Sequence, residues 1–335
     1  MPGQPGWQRG SGRGAGIIPL RPLSIGEIYD GAIRAIRANP RTMVGWSAVV
    51  GAIITVAATI PQLLALNALW GSALSGDALT TEEDAEALSE VFGVFGVTAL
   101  STTIQSLLAT TIITGLLIVA VGGAVRGEAL APGELWRRAK GRLWAVLGLA
   151  VLLLVTATVL IAVCMAPGGV LLWQAVQGDA DAEGIFVAFL VLALGGLVGA
   201  IVYAALYLGY WALAVPALLL ENLGMTAALR RSARLVRGSF WRVFGISLLT
   251  AVIAAVIGEI FTVPFSLVGN GVVLALGTTG PASLIVPQLL VTLGTIMAGA
   301  VLYPFSAGAV TLLYLDLRMR REGMDVEMLR SEQPR

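Results

Sequence analysis

The sequence predicts an all-α polytopic membrane protein with six transmembrane helices and three juxtamembrane amphipathic helices. Three observations predict it. Several apolar stretches run for the roughly 20 residues a helix needs to cross a hydrocarbon layer about 30 Å thick, with no charge inside them. Charged residues make up 12% of the chain against 57% hydrophobic, about half the usual share of charge in a soluble protein. Every basic residue falls in one of four clusters, and acidic connections alternate with them.

The chain divides into an N-terminal tail over 1–23, a six-span domain over 24–321 and a C-terminal tail over 322–335. The ends are polar, rich in Gly, Pro and charge, and are expected to be disordered. The first 40 residues contain no apolar core of a signal peptide, so the first span is expected to serve as the insertion signal. The first helix is capped by Ser24 and Glu27, a Ser-x-x-Glu capping box. Ile25, Ile28, Tyr29, Ala32, Ile33 and Ile36 then recur at helical spacing, and Pro40 marks the stop.

The spans fall at about 43–69, 94–121, 143–165, 185–213, 243–268 and 284–315. The segment before the first span carries six arginines, and the second connection, the fourth connection and the tail carry five basic residues each, which accounts for all 21. The first connection instead holds Asp77, Glu82, Glu83, Asp84, Glu86 and Glu90, and the third Asp179, Asp181 and Glu183. Lys and Arg are retained on the cytoplasmic side, so both termini are expected there, in a bacterial cytoplasmic membrane. Trp46, Trp144 and Trp241 fall at inner ends of spans and Trp70 and Trp173 at outer ends, where amphipathic rings prefer to lie.

Each odd-numbered span follows a short basic segment. Arg34, Arg37 and Gly45 have the spacing of Arg137, Lys140 and Gly148, and of Arg234, Arg237 and Gly245. This predicts three repeated units, each a surface helix followed by a transmembrane hairpin. The second helix opens at Pro132 and the third runs from about Met225 to Gly238. Two readings of these helices stand. Arg34, Arg37, Arg137, Arg138, Lys140, Arg230, Arg231, Arg234 and Arg237 are candidates for contact with anionic lipid headgroups, each contributing on the order of 1 kcal/mol. Alternatively they only orient the hairpins, or meet a protein partner.

Within the spans, Glu259 is the one ionisable residue. A charged carboxylate at a helix centre costs roughly 2.5–3.5 kcal/mol, so Glu259 is expected to be protonated or to face a polar interior, with Thr262, Ser266 and Thr295 as possible partners. It reads either as a proton or cation relay or as a satisfied structural acid. The fourth apolar stretch, Ile185 to Leu220, exceeds one crossing, and Pro216 is expected to mark its bend. Tyr203, Tyr207, Tyr210 and Trp211 form a stripe on it, and Gly195 and Gly199 a pair that permits close helix approach.

The chain has no histidine, and its one cysteine, Cys164, lies in an apolar run. The usual donor sets for zinc, haem and iron–sulfur clusters are absent, and no nucleophile has an imidazole base. No cofactor, no metal and no nucleic-acid partner are expected.

Two stretches carry a resemblance. Ile18 to Ala32 (IPLRPLSIGEIYDGA), and Val215 to Glu221 with Ala228 to Arg242, resemble actinobacterial integral membrane proteins grouped with the membrane domain of glycerophosphoryl diester phosphodiesterases. In two-part members of that family the phosphodiesterase chemistry belongs to a separate soluble domain with histidines and metal-binding carboxylates. The resemblance therefore implies a membrane anchor or accessory role. A non-enzymatic scaffold leads, a transporter or channel using Glu259 is the alternative, and an intramembrane enzyme lacks a partner for its solitary acid.

Overall fold

The computed structural model describes residues 21–72, 97–98, 101–125, 132–177 and 182–323. Most of the two acidic connections, the first 20 residues and the last 12 lie outside the described residues.

Helix α1 (Ile25–Ala38) begins with the expected capping box: the Ser24 hydroxyl accepts from the Glu27 N–H, and the Glu27 carboxylate accepts from the Ser24 N–H at 2.7 Å. Asn39 breaks the helix, and Pro40 opens α2 (Pro40–Ser72) at the one helical position where a missing N–H costs nothing. Next come α3 (Ser101–Val125), interrupted by a π turn at Ala109–Thr114, and the short α4 (Pro132–Ala139). A 3₁₀ turn leads into α5 (Leu143–Gln177), which is followed by α6 (Ala182–Leu206). A second π turn (Tyr207–Trp211) separates α6 from α7 (Ala214–Leu220), and α8 (Met225–Val236), α9 (Phe240–Leu276) and α10 (Ala282–Glu322) complete the chain.

Six of these stretches are long and apolar enough to cross a bilayer, as the sequence predicts: Pro40–Ala68, Ser101–Val125, Gly133–Gln174, Phe186–Leu220, Phe240–Leu276 and Ala282–Glu322. The helices outrun the expected spans. α9 passes unbroken through Pro264 to Leu276, and α10 continues to Glu322 before Gly323 caps it in the left-handed conformation. In the fourth span the α-helical pattern is interrupted at Ala212 and Leu213, in the turn before Pro216, where the proline ring crowds the carbonyl four residues back.

Lipid tails are as apolar as leucine, so helix association here rests on small residues and polar contacts. α5 and α6 form a close hairpin in which Gly195 lies directly on the Cys164 carbonyl and Gly168 on the Leu192 backbone. The α9–α10 hairpin uses Gly269 and Gly294: a Cβ at either would come within 2.7 Å of Pro287 or 2.9 Å of the Phe261 carbonyl oxygen. α10 is the hub, packing on α1, α2, α3 and α9. α1 seats against it where Ala32 meets Gly308, and Tyr29 stacks on Phe305 while its hydroxyl donates to the Ile246 carbonyl of α9.

The largest fully buried side chains, among them Leu23, Ile28, Met43, Leu149, Leu218, Leu313 and Tyr314, gather at one end of the bundle. This is the end that carries α1, α4 and α8, the basic end. The core is therefore built where short helices fill the space between the spans. Toward the other end the helices expose long apolar side chains such as Ile60, Phe186, Leu267 and Leu274.

Candidate functional site

Two polar constellations stand out. The first is at the basic end and centres on Asp316, whose side chain is wholly buried. It accepts from the backbone N–H of Leu23 at 2.7 Å, from Arg242 at 3.0 Å and from Arg320 at 2.9 Å. Arg242 and Arg320 each also donate to the Leu23 carbonyl, at 2.7 and 2.8 Å. Both backbone polar groups of Leu23 are thus satisfied by charged side chains, and Leu23, the last residue of the expected tail, has no exposed surface.

Beside this knot lies a second one around Glu221. Arg231 clamps its two oxygens at 2.8 Å each, the Tyr314 hydroxyl donates to it, and Arg231 reaches Glu322 at 2.5 Å. Arg318 bridges Glu322 at 3.0 Å and Glu221 at 3.4 Å. Burial alone would raise the Glu221 carboxyl; the hydrogen bonds from Arg231 and Tyr314 outweigh it and hold the group below its ordinary range. The bond to Glu221, with that to Glu322, raises the Arg231 guanidinium. Arg142 donates to the carbonyls of Leu218 and Leu223 at the end of α7, where a cation complements unpaired carbonyls. Ser232 of α8 donates at 2.5 Å to the Tyr210 carbonyl in the second π turn.

These contacts sort the basic residues into two sets. Arg142, Arg231, Arg242, Arg318 and Arg320 hold elements together. Arg34, Arg37, Lys140, Arg230, Arg234 and Arg237 are exposed and make no ion pair among the described residues. Arg137 and Arg138 are exposed too, with Glu134 at 3.8 and 2.7 Å. Arg231 leaves the set of lipid-headgroup candidates: its guanidinium faces two carboxylates and is only 19% exposed.

The second constellation lies within the spans, a cavity of about 360 Å³ between α2, α3 and α10. Thr55, Thr59 and Gln62 line it from α2, Thr102, Gln105 and Ser106 from α3, and Gln288, Thr292 and Thr295 from α10. Cross-helix hydrogen bonds knit the walls: Gln105 donates to Thr55 at 3.0 Å, Gln288 donates to Gln62 at 3.1 Å, and the Thr59 and Thr292 hydroxyls lie 3.2 Å apart. At about 1.5 Å per residue, Thr59 lies roughly 28 Å along α2 from Pro40, far from the basic end.

Glu259 does not line this cavity. It sits on the outer face of α9, exposed, and its one hydrogen bond among the described residues is from the Thr262 hydroxyl at 3.4 Å. The expectation of a polar interior around it fails because its helix turns the Gly258 side toward α10 and the carboxylate side away. Of the other expected partners, Thr295 belongs to the cavity and donates to Val291, and the Ser266 carbonyl accepts from Asn270. Tyr203 and Tyr207 of the aromatic stripe border a neighbouring, mainly apolar cavity against α3 and α5.

Fold and composition define the class, an integral membrane protein built from six apolar helices. Residues 194–333 match the family described as the membrane domain of glycerophosphoryl diester phosphodiesterase. The match runs from within α6 through α10 and so includes both arginine–carboxylate knots and the α10 wall of the cavity. No curated protein and no solved structure matches the chain.

Proposed function

We propose that the protein is a non-enzymatic accessory or scaffold protein of a bacterial cytoplasmic membrane, with both termini inside, and that it binds anionic lipid headgroups through α1, α4 and α8. The observation that carries this reading is the division of the basic residues. Five arginines are consumed by carboxylates and carbonyls, so the fold has its own clamps, whereas Arg34, Arg37, Lys140, Arg230, Arg234 and Arg237 are exposed on or beside the short helices and make no ion pair among the described residues. On a membrane surface such cations draw anionic lipid, each adding on the order of 1 kcal/mol. The lack of histidine and the resemblance to a membrane domain support the non-enzymatic part.

Trp144 and Trp241, each 80% exposed beside these helices, report on the lipids around them. In nanodiscs, brominated phosphatidylglycerol should quench them at lower mole fraction than brominated phosphatidylcholine. The variant Arg34→Gln/Arg37→Gln/Arg234→Gln/Arg237→Gln should lose that preference by about tenfold or more. Equal quenching by the two lipids in the wild type would refute the proposal. Conduction through Glu259, the competing reading, gains no support from a carboxylate on the outer face of α9.

A further inference from the structure

The cavity between α2, α3 and α10 has a chemistry of its own, resting on residues that the lipid reading does not use. Its polar lining is neutral: threonine, serine and glutamine, with the phenol of Tyr303. Burying an unpaired charge against such walls is costly, and no charged side chain lines the space to pair with an ion.

The lining also offers both donors and acceptors. A threonine hydroxyl carries one proton and two lone pairs. Thr59, Thr102, Thr292 and Thr295 each have a backbone carbonyl four residues back within 2.8–2.9 Å to take that proton, and Thr59 and Thr292 also have each other at 3.2 Å. Gln105 and Gln288 each direct one amide donor at a protein acceptor, Thr55 and Gln62, and an amide group carries two. What remains for the space is a mixture of hydroxyl lone pairs and amide protons. At 360 Å³ the space exceeds any single water, whose share of liquid volume is about 30 Å³, and it falls in the range of small-molecule pockets, roughly 300–1,000 Å³.

We infer that this cavity is a binding site for a small uncharged polyhydroxylated solute, whose hydroxyl protons reach the lone pairs of Thr59, Thr102, Thr292 and Thr295. A solute of this class offers several O–H donors at the spacing of adjacent carbons, and its own oxygens accept from the remaining glutamine amide protons. Specificity comes from groups that both donate and accept, and from neutrality. Charged osmolytes of similar size are excluded by desolvation.

The test uses the full chain in nanodiscs and saturation-transfer difference NMR with sorbitol as the probe, and glycine betaine and potassium chloride as competitors. Saturation should pass to sorbitol, and neither competitor should displace it. Thr59→Val/Thr292→Val keeps shape and removes two acceptors, and should weaken sorbitol binding about tenfold. Thr295→Val, at a half-buried position, guards against a folding defect in the double variant and should weaken binding severalfold. Thr262→Val, outside the cavity, should leave it unchanged. Absence of transfer to sorbitol in the wild type overturns the inference, as does transfer that both cavity variants leave intact. Displacement by potassium overturns it in favour of a cation site.

Discussion

The backbone N–H of Leu23 donates to the Asp316 carboxylate at 2.7 Å, joining residues 293 positions apart. Arg242 and Arg320 hold the same carboxylate and the same residue's carbonyl, so one buried acid ties the start of α1 to α9 and α10. Removing one partner from a buried ion pair leaves the other charges uncompensated.

Asp316→Ala should therefore destabilise the protein by about 3 kcal/mol, the low end for such a loss, because Arg242 and Arg320 are 29% and 35% exposed and can rehydrate. Asp316→Asn retains an acceptor for the Leu23 N–H and should lose less. Unfolding of the detergent-solubilised protein measures both; identical losses would mean that the N–H bond adds nothing to the charge pairs.

Glu221 predicts a pH dependence. Its folded carboxyl lies below the ordinary 4.5, so its network stabilises the fold above that pH and the contribution fades as pH falls through the folded value. The wild-type thermal transition should drop on acidification below about pH 5. Glu221→Gln should start lower at neutral pH and show a shallower acid limb. An acid limb equally steep in the variant would assign the dependence to other carboxylates.

Adjacent glycines of α6 should respond in opposite directions. A Cβ at Gly195 overlaps the Cys164 carbonyl, whereas one at Gly196 meets the Met165 side chain at an ordinary 3.5 Å. Gly195→Ala should cost about 1–3 kcal/mol through separation of α5 and α6. Gly196→Ala should be neutral or stabilising by up to about 1 kcal/mol, since alanine is the better helix former. Stability curves for the pair decide it; a neutral Gly195→Ala would contradict the packing.

Glu259 is the converse case, a polar group whose removal should do no harm. On the outer face of α9 a polar carboxyl opposes insertion, and among the described residues no cross-helix bond depends on it. Glu259→Leu should match or exceed the wild-type melting temperature in lipid nanodiscs. A clear drop would mean that the carboxylate has a packed partner in the membrane.

The six spans were legible because apolar length and arginine placement are local properties of the chain. The arginine–carboxylate knots were not. Asp316 falls one residue beyond the expected end of the last span at 315, and reads as a tail charge until Leu23 is brought to it from the other end. Arg231 looked like its neighbours Arg230 and Arg234, since linear spacing does not reveal that Glu221 and Glu322 converge on one turn of α8. The cavity was not legible as a site because its polar lining is uncharged and each threonine or glutamine alone is compatible with an apolar span. Its signal was present all the same. Pro-Gln-Leu-Leu occurs at 61–64 and again at 287–290, each glutamine belongs to a Thr/Gln set spaced by four and three residues, and Gln62 and Gln288 meet across antiparallel helices. Glu259 drew notice as the lone intramembrane acid, but nothing in its neighbours showed which way its helix would turn.

The seat of α1 also sets an order on biosynthesis. Ribosomes deliver the N-terminal end first, yet the groove that receives Leu23 and Ala32 is made by Gly308, Asp316 and Arg320, and Asp316 follows Leu23 by 293 positions. Until then α1 has capped its own N-terminus with Ser24 and Glu27 but has no docking partner on α10. Docking of α1 therefore waits for the sixth helix. A nascent chain stalled before it would leave α1 unseated, with the Leu23 N–H and carbonyl deprived of Asp316 and Arg320.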